Sequence, residues 1–267
     1  MSIVFLRPYN FHIMQSKPRT NWTKPELKLA FYLYCQLPFG KLHYRNPLIQ
    51  KLASKLGRTP SSVAMKLVNF ASLDPFIQAS GRLGLRGASK LDREVWDEFH
   101  NNWEGLTAEC QTFFEVPAET SVSPVITKVP EITERKATVT TRIGQTFFRQ
   151  AVLASYGEKC CMSNTAIPEL LIASHIIPWS EGKERLNPAN GLCLSAIHDM
   201  AFDKGFMTVF PDFSIGISLI LKKHQTDLNA PITLHLCQLE GTQIRLPEKF
   251  LPKSEFLEWH NKHIFLG

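Results

Sequence analysis

The stretch from Ile167 to Gly205 constrains this chain more than any other. An apolar run, Ile167-Pro168-Glu169-Leu170-Leu171-Ile172-Ala173, leads into Ser174-His175-Ile176-Ile177-Pro178-Trp179. A short apolar run bounded in this way predicts a strand, with His175 emerging at its end. Asn187-Pro188-Ala189-Asn190-Gly191-Leu192 reads as a turn. His198-Asp199-Met200-Ala201-Phe202-Asp203-Lys204-Gly205 follows as a short helix. A histidine at a strand end, an asparagine in a turn and two acids one helical turn apart point to a small α+β unit.

That order of residues suggests phosphodiester chemistry. A neutral imidazole takes a proton from water near pH 7, so His175 is the candidate general base. Spacing of i,i+4 puts the Asp199 and Asp203 carboxylates on one helix face, where they repel by a few tenths of a kcal/mol unless a cation lies between them. Oxygen donors suit Mg²⁺ or Mn²⁺. His198 is a third metal candidate, but its ring points about 100° from Asp199 on an ideal helix, so packing or a phosphate contact stays open. The Asn190 amide can bond backbone on both sides of its turn, and Asn187 competes for that role. Lys183, Arg185 and Lys204 lie around the same loop and helix as candidate phosphate contacts.

These residues resemble the HNH subgroup of the ββα-metal nucleases. The resemblance runs from about Arg142 to the C-terminus, through Arg142-Ile143-Gly144-Gln145, Phe148-Arg149, Cys160, the three blocks above, and the tail with Pro247, Pro252 and His260. It implies a strand, a loop, a second strand and a helix around one divalent metal ion. Catalytic roles then fall to His175 and Asn190, and metal ligation to Asp199, Asp203 and His198. The products would carry 5′-phosphate and 3′-hydroxyl ends. Many members have Asp or His, a metal ligand, immediately before the base; here that residue is Ser174, so fewer side chains or a water would complete the shell. Many also bind a structural zinc through paired CxxC motifs, whereas Cys160 and Cys161 are adjacent and Cys193 stands alone. No structural zinc is expected.

Charge divides the chain unevenly. Residues 1–104 hold 15 Lys+Arg against 7 Asp+Glu, net +8; residues 105–267 hold 15 against 17, net −2. The basic half is the expected polyanion grip. Thr23, Pro25 and Glu26 mark one helix start, Asn46-Pro47 a second and Thr59-Pro60 a third, with Gly57 stopping the second. Two short helices joined by Gly57-Arg58-Thr59 read as a helix-turn-helix, which would set Arg58, Thr59, Ser61, Ser62 and Lys66 at nucleic acid. A three-helix bundle with a tight corner is the competing reading. Arg82 and Arg86, in a wing-like continuation, are candidate phosphate contacts. Pro117, Pro124 and Pro130 mark a linker. The expected division is a helical DNA-recognition domain over 1–104, a linker over 105–138 and an HNH nuclease domain over 139–267.

No run approaches the roughly 20 apolar residues of a membrane helix, and six irregularly spaced cysteines read as reduced. A soluble cytoplasmic protein acting on double-stranded DNA is expected, with a homodimer as the arrangement if both strands are cut. A basic reader joined to a cutter resembles a restriction enzyme, including the modification-dependent kind. A non-catalytic DNA-binding regulator and a structure-specific or RNA-directed nuclease stay open as alternatives.

Overall fold

Capping chemistry decides where the first helices begin. In a computed structural model, which describes residues 21–79, 87–114, 132–182, 184–224 and 230–267, α1 spans Lys24–Cys35 behind Thr23. The Glu26 carboxylate accepts from the Thr23 backbone N–H at 2.8 Å, satisfying a donor that the helix leaves orphaned. Helix α2, Pro47–Leu56, is capped by the Asn46 side chain, which accepts from Leu48 N. It stops at Gly57, whose φ of +63° suits a residue without a Cβ. Helix α3, Pro60–Ala71, is capped by Thr59 Oγ1, which accepts from Ser62 N. Val63, Leu67 and Phe70 form its buried stripe. In α2, Ile49, Leu52 and Ala53 form the buried face, while Leu48 is 49% exposed.

Helices α4 (Pro75–Ala79), α5 (Lys90–Asn101) and α6 (Trp103–Phe114) complete the helical half. Phe31 of α1 packs its ring against Phe70 at 5.0 Å and Phe99 at 4.7 Å, joining α1, α3 and α5 in one aromatic core. Residues 105–114 and 132–138, read from composition as linker, are helical: the former end α6 and the latter begin α7, Ile132–Ser155. Trp103, Leu106 and Cys110 place a buried face on α6, and burial of that face outweighs the helix-weakening Gly105.

The second half is built on α7. Strands β1 (Leu171–His175) and β2 (Gly191–Ser195) pair antiparallel, with His175 opposite Gly191, and run into α8 (Ala196–Asp203). A second hairpin follows, β3 (Met207–Val209) with β4 (Ile215–Ile217), turning through Pro211-Asp212. Helices α9 (Leu219–Lys222), α10 (Pro231–Cys237) and α11 (Ser254–His263) close the chain. The fold is α+β. Gly191 is required where β2 crosses α7: a Cβ there would lie 2.3 Å from Val152 Cγ2 and 2.9 Å from Phe148 Cζ.

The halves share one core. Tyr32 of α1 stacks on Phe147 of α7 at 4.9 Å, and Phe250 meets Trp103 edge-on at 5.7 Å. Lys249, fully buried, donates to the carbonyl oxygens of Tyr34, Cys35 and Leu37, using its three N–H groups to close the C-terminal end of α1.

Candidate active site

Strand β1 lies between α7 and α8, and successive strand side chains face opposite ways. His175 turns toward α7, where its ring lies flat on Phe148, with centroids 3.8 Å apart and planes 8° from parallel. Trp179 meets the imidazole edge-on at 5.6 Å. The imidazole Nε2 is 2.9 Å from the Arg185 carbonyl oxygen. A carbonyl only accepts, so Nε2 carries the proton and Nδ1 keeps the lone pair. Burial pushes the His175 pKa below its ordinary value, an effect the Arg185 carbonyl partly offsets.

The loop after β1 is tied down by Asn190, which is fully buried. Its amide oxygen accepts from Ile177 N at 2.8 Å, while its nitrogen donates to the carbonyls of Ile177 and Glu184. Asn187 acts more locally, capping the short 3-10 turn Pro188–Asn190 through Ala189 N.

The other face of β1 meets α8. Ser174 is buried, and the carboxyl groups of both Asp199 and Asp203 lie close enough to its hydroxyl for it to hold their pKa values down. Ser174 Oγ nevertheless makes no hydrogen bond of ordinary geometry. Such a shut-in hydroxyl costs about 1–3 kcal/mol. Burial, acting against Ser174, raises the Asp199 carboxyl above its usual range. Burial and then the Asp199 charge push Asp203 up to about 6, although that residue reaches the surface.

His198 does not join these acids. It is 1% exposed, with Nδ1 2.6 Å from Ser195 Oγ and 3.7 Å from Cys160 Sγ, and its ring faces His235. Its position on α8, off the Asp199 and Asp203 face, sends it into packing instead. Burial alone would raise the Cys160 thiol, but His198 and Ser163 bring it down to about 6. Among the described residues, no three His, Cys, Asp or Glu side chains gather around a common point.

Beside His175 opens a cleft of about 240 Å³, lined by Gln145, Phe148, Arg149 and Trp179. Arg149 donates to the carbonyls of Leu171 and Pro168, which aims its guanidinium across the mouth of β1. Arg185 donates to the Trp179 carbonyl and covers the Trp179 ring at 5.3 Å. Lys204 is exposed at the end of α8, beside Asp203. Sequence reasoning passes over Gln145 as a lining residue, and Phe148 as the platform for His175. The resemblance includes Phe148 but gives it no role.

In the helical half, two of the candidate contacts have internal partners. Arg58 forms a two-point salt bridge with Glu26, donates to Asn21 O and lies 4.1 Å over Trp22. Lys66 is buried against Asp92, itself fully buried, with 3.0 Å to each oxygen. Both cations neutralise internal acids, so neither is a free phosphate contact. Thr59 and Ser61 are exposed at the start of α3 and Ser62 is half-buried. Arg82, Arg86 and Lys183 lie outside the described residues.

A strand pair thus runs into a helix, with a positioned imidazole at the strand end and two acids on the helix. Residues 160–209, from Cys160 through β1, β2 and α8 to the end of β3, match a family model described as HNH endonuclease. This segment, 160–209, is thus similar to HNH endonucleases, a likeness that points to a nucleic-acid substrate. No curated protein matches the chain. No helix among the described residues is long and apolar enough to cross a membrane.

Proposed function

We propose that this chain is a DNA endonuclease of the restriction kind, with His175 as general base and with Asp199 and Asp203 holding one divalent cation. The observation that carries the reading is the division of labour at the end of β1. Adjacent residues, whose Cα atoms are about 3.8 Å apart, face the imidazole to one side and the acid pair to the other. A phosphodiester laid across that strand end meets both.

The chain's own groups account for much of the chemistry. The Arg185 carbonyl fixes the proton on Nε2, leaving Nδ1 to take a proton from water. The lowered pKa keeps the ring in its basic form at neutral pH. Asn190 holds the turn that brings the Arg185 carbonyl to the ring. Arg149 and Arg185 flank the cleft and supply positive charge for the phosphate. The donor set fits a hard cation: two carboxylates with raised pKa values and an unpartnered hydroxyl, all oxygen. Mg²⁺ or Mn²⁺, when bound there, would offset charge on the phosphate and on the departing 3′ oxygen. Double-stranded DNA is the proposed substrate, gripped in part by the basic helical half through Thr59, Ser61 and Ser62.

Incubation of purified protein with plasmid DNA and Mg²⁺ or Mn²⁺ tests this directly. Wild type is expected to nick or linearise the plasmid, and His175→Ala to lose at least a hundredfold in rate, the scale of a lost general base. DNA binding with no cutting by either protein would make the chain a binding protein instead. RNA cut in preference to DNA would reassign the substrate.

A further inference from the structure

Residues 27–73 contain no Asp or Glu and carry seven Lys and Arg. Packing neutralises part of that charge. Lys28 pairs with Glu98 and Glu109, Arg58 with Glu26 and Lys66 with Asp92, while Lys41 reaches Glu158 at the surface. Arg45, Lys51 and Lys55 are left, each exposed and without an acid partner among the described residues. They lie along α2. Lys51 and Lys55 are i,i+4 on its outer side, away from the buried Ile49, Leu52 and Ala53, and Arg45 stands just before its cap. Asn46 fixes that turn against the helix, because its side chain donates to the Lys41 carbonyl and accepts from Leu48 N. Arg45 Nε donates to the Tyr44 hydroxyl at 3.2 Å, and the Tyr44 side chain is itself exposed. Lys55 gives one N–H to the Phe113 carbonyl, and an ammonium has two more.

We propose that the outer side of α2, with the turn before it, is the surface that takes the phosphate backbone of duplex DNA, with Arg45, Lys51 and Lys55 each contacting a phosphate. The proposal rests on the nuclease reading and places the charged part of the grip on α2 rather than on α3. Helix α3 offers no free cation: Lys66 is its one charged residue and is buried against Asp92. What the start of α3 exposes, Thr59 and Ser61, is neutral. A cation already held by a carboxylate must give up that partner to reach a phosphate. An unpaired one does not, and each phosphate it neutralises releases counterions from the duplex. Like charges at i,i+4 repel along a helix, and a phosphate backbone lying against Lys51 and Lys55 relieves that repulsion. The Tyr44 hydroxyl adds a neutral donor of the kind that contacts phosphate oxygens. A lipid surface fits less well, because α2 exposes one large apolar side chain, Leu48, where membrane seating needs an apolar face.

Fluorescence anisotropy of the full chain with a labelled DNA duplex, in EDTA and across a range of KCl, tests the assignment. Wild type is compared with the triple variant Arg45→Gln, Lys51→Gln, Lys55→Gln and with a control that loses equal charge from exposed lysines elsewhere, Lys90→Gln, Lys223→Gln, Lys262→Gln. The slope of log affinity against log salt is expected to shrink by about 2–3 units in the first triple, the release belonging to three phosphate contacts. The control should keep the wild-type slope. Lys51→Gln alone should lower it by about one unit. Because the replaced side chains are exposed, thermal melts of these variants should match wild type. A wild-type slope in the first triple, or equal losses in both triples, would overturn the assignment. Binding of wild type to phosphatidylserine and phosphatidylcholine vesicles in place of the duplex would overturn it as well. Plasmid cleavage decides the nuclease reading separately: no cutting by wild type, with the slope still reduced in the first triple, removes that reading and keeps the α2 surface.

Discussion

The imidazole of His175 rests face to face on the ring of Phe148, with 3.8 Å between centroids. This stack does two things. It fixes the plane in which the Nδ1 lone pair points, and it supplies apolar surroundings that disfavour the imidazolium.

Replacing Phe148 therefore has a chemical readout. Phe148→Leu keeps bulk but opens the stack, and the His175 pKa is expected to rise toward its ordinary value. An NMR pH titration of the imidazole should show the rise, and the acid limb of the cleavage profile should move to higher pH with it. Phe148→Ala would confound the test, because removing a buried phenylalanine costs about 3–5 kcal/mol.

Asp203 provides a stability test with a definite sign. Its folded pKa of about 6 lies above the ordinary value of 3.8, so the native state holds more protons between those values. The resulting stability is fully present below pH 3.8 and is lost as pH rises through 6. Asp203→Asn removes the charge, so the metal-free variant should melt above wild type at pH 7. The gain should vanish near pH 3.8. Thermal melts across this range decide it, and a variant less stable than wild type at pH 7 would contradict the assigned direction.

Lys66 and Asp92 form a buried pair that should behave as structure. Lys66→Ala strands the fully buried Asp92 carboxylate and is expected to cost about 3–5 kcal/mol. The double variant Lys66→Met, Asp92→Asn removes both charges and should recover much of that loss. If Lys66 does not touch DNA, the double variant keeps wild-type affinity and the same dependence on salt. A salt slope smaller by about one unit would return Lys66 to the interface.

Lys249→Met tests the join between the halves. It leaves three buried carbonyl groups at the end of α1 without their donor, and a loss of about 3 kcal/mol or more is expected. Because those carbonyls lie in or just after the first helix and the lysine in the last quarter of the chain, both halves should melt together at the lower temperature. Separate transitions, read by tryptophan fluorescence and by far-ultraviolet dichroism, would argue against a shared core.

Local chemistry is legible in the sequence where one residue type performs one backbone role. Asn46 and Thr59 cap their helices, Gly57 takes the left-handed stop, and the prolines occupy first turns. The order of strand, turn, second strand and helix is likewise legible, because these elements are short and close in the chain. Side-chain partners from distant segments are not legible. Arg58 and Lys66 look like free cations until Glu26 and Asp92 are brought to them from 32 and 26 residues away. His198 looks like a ligand because spacing reports the face of a helix, not what packs against it; Ser195 and Cys160 settle its surroundings. The orphaned hydroxyl of Ser174 is a property of three dimensions alone.

The Lys249 clasp on α1 carries a consequence for how the protein would measure its substrate. With α6 packed on α1 and α7, and the clasp closing the far side, the helical half and the catalytic edge form a single solid piece. On the proposed reading such a body would work as a gauge: the span from base pairs gripped by the helical half to the bond cut would be set by packing, so cuts should fall at one offset rather than scatter along the duplex.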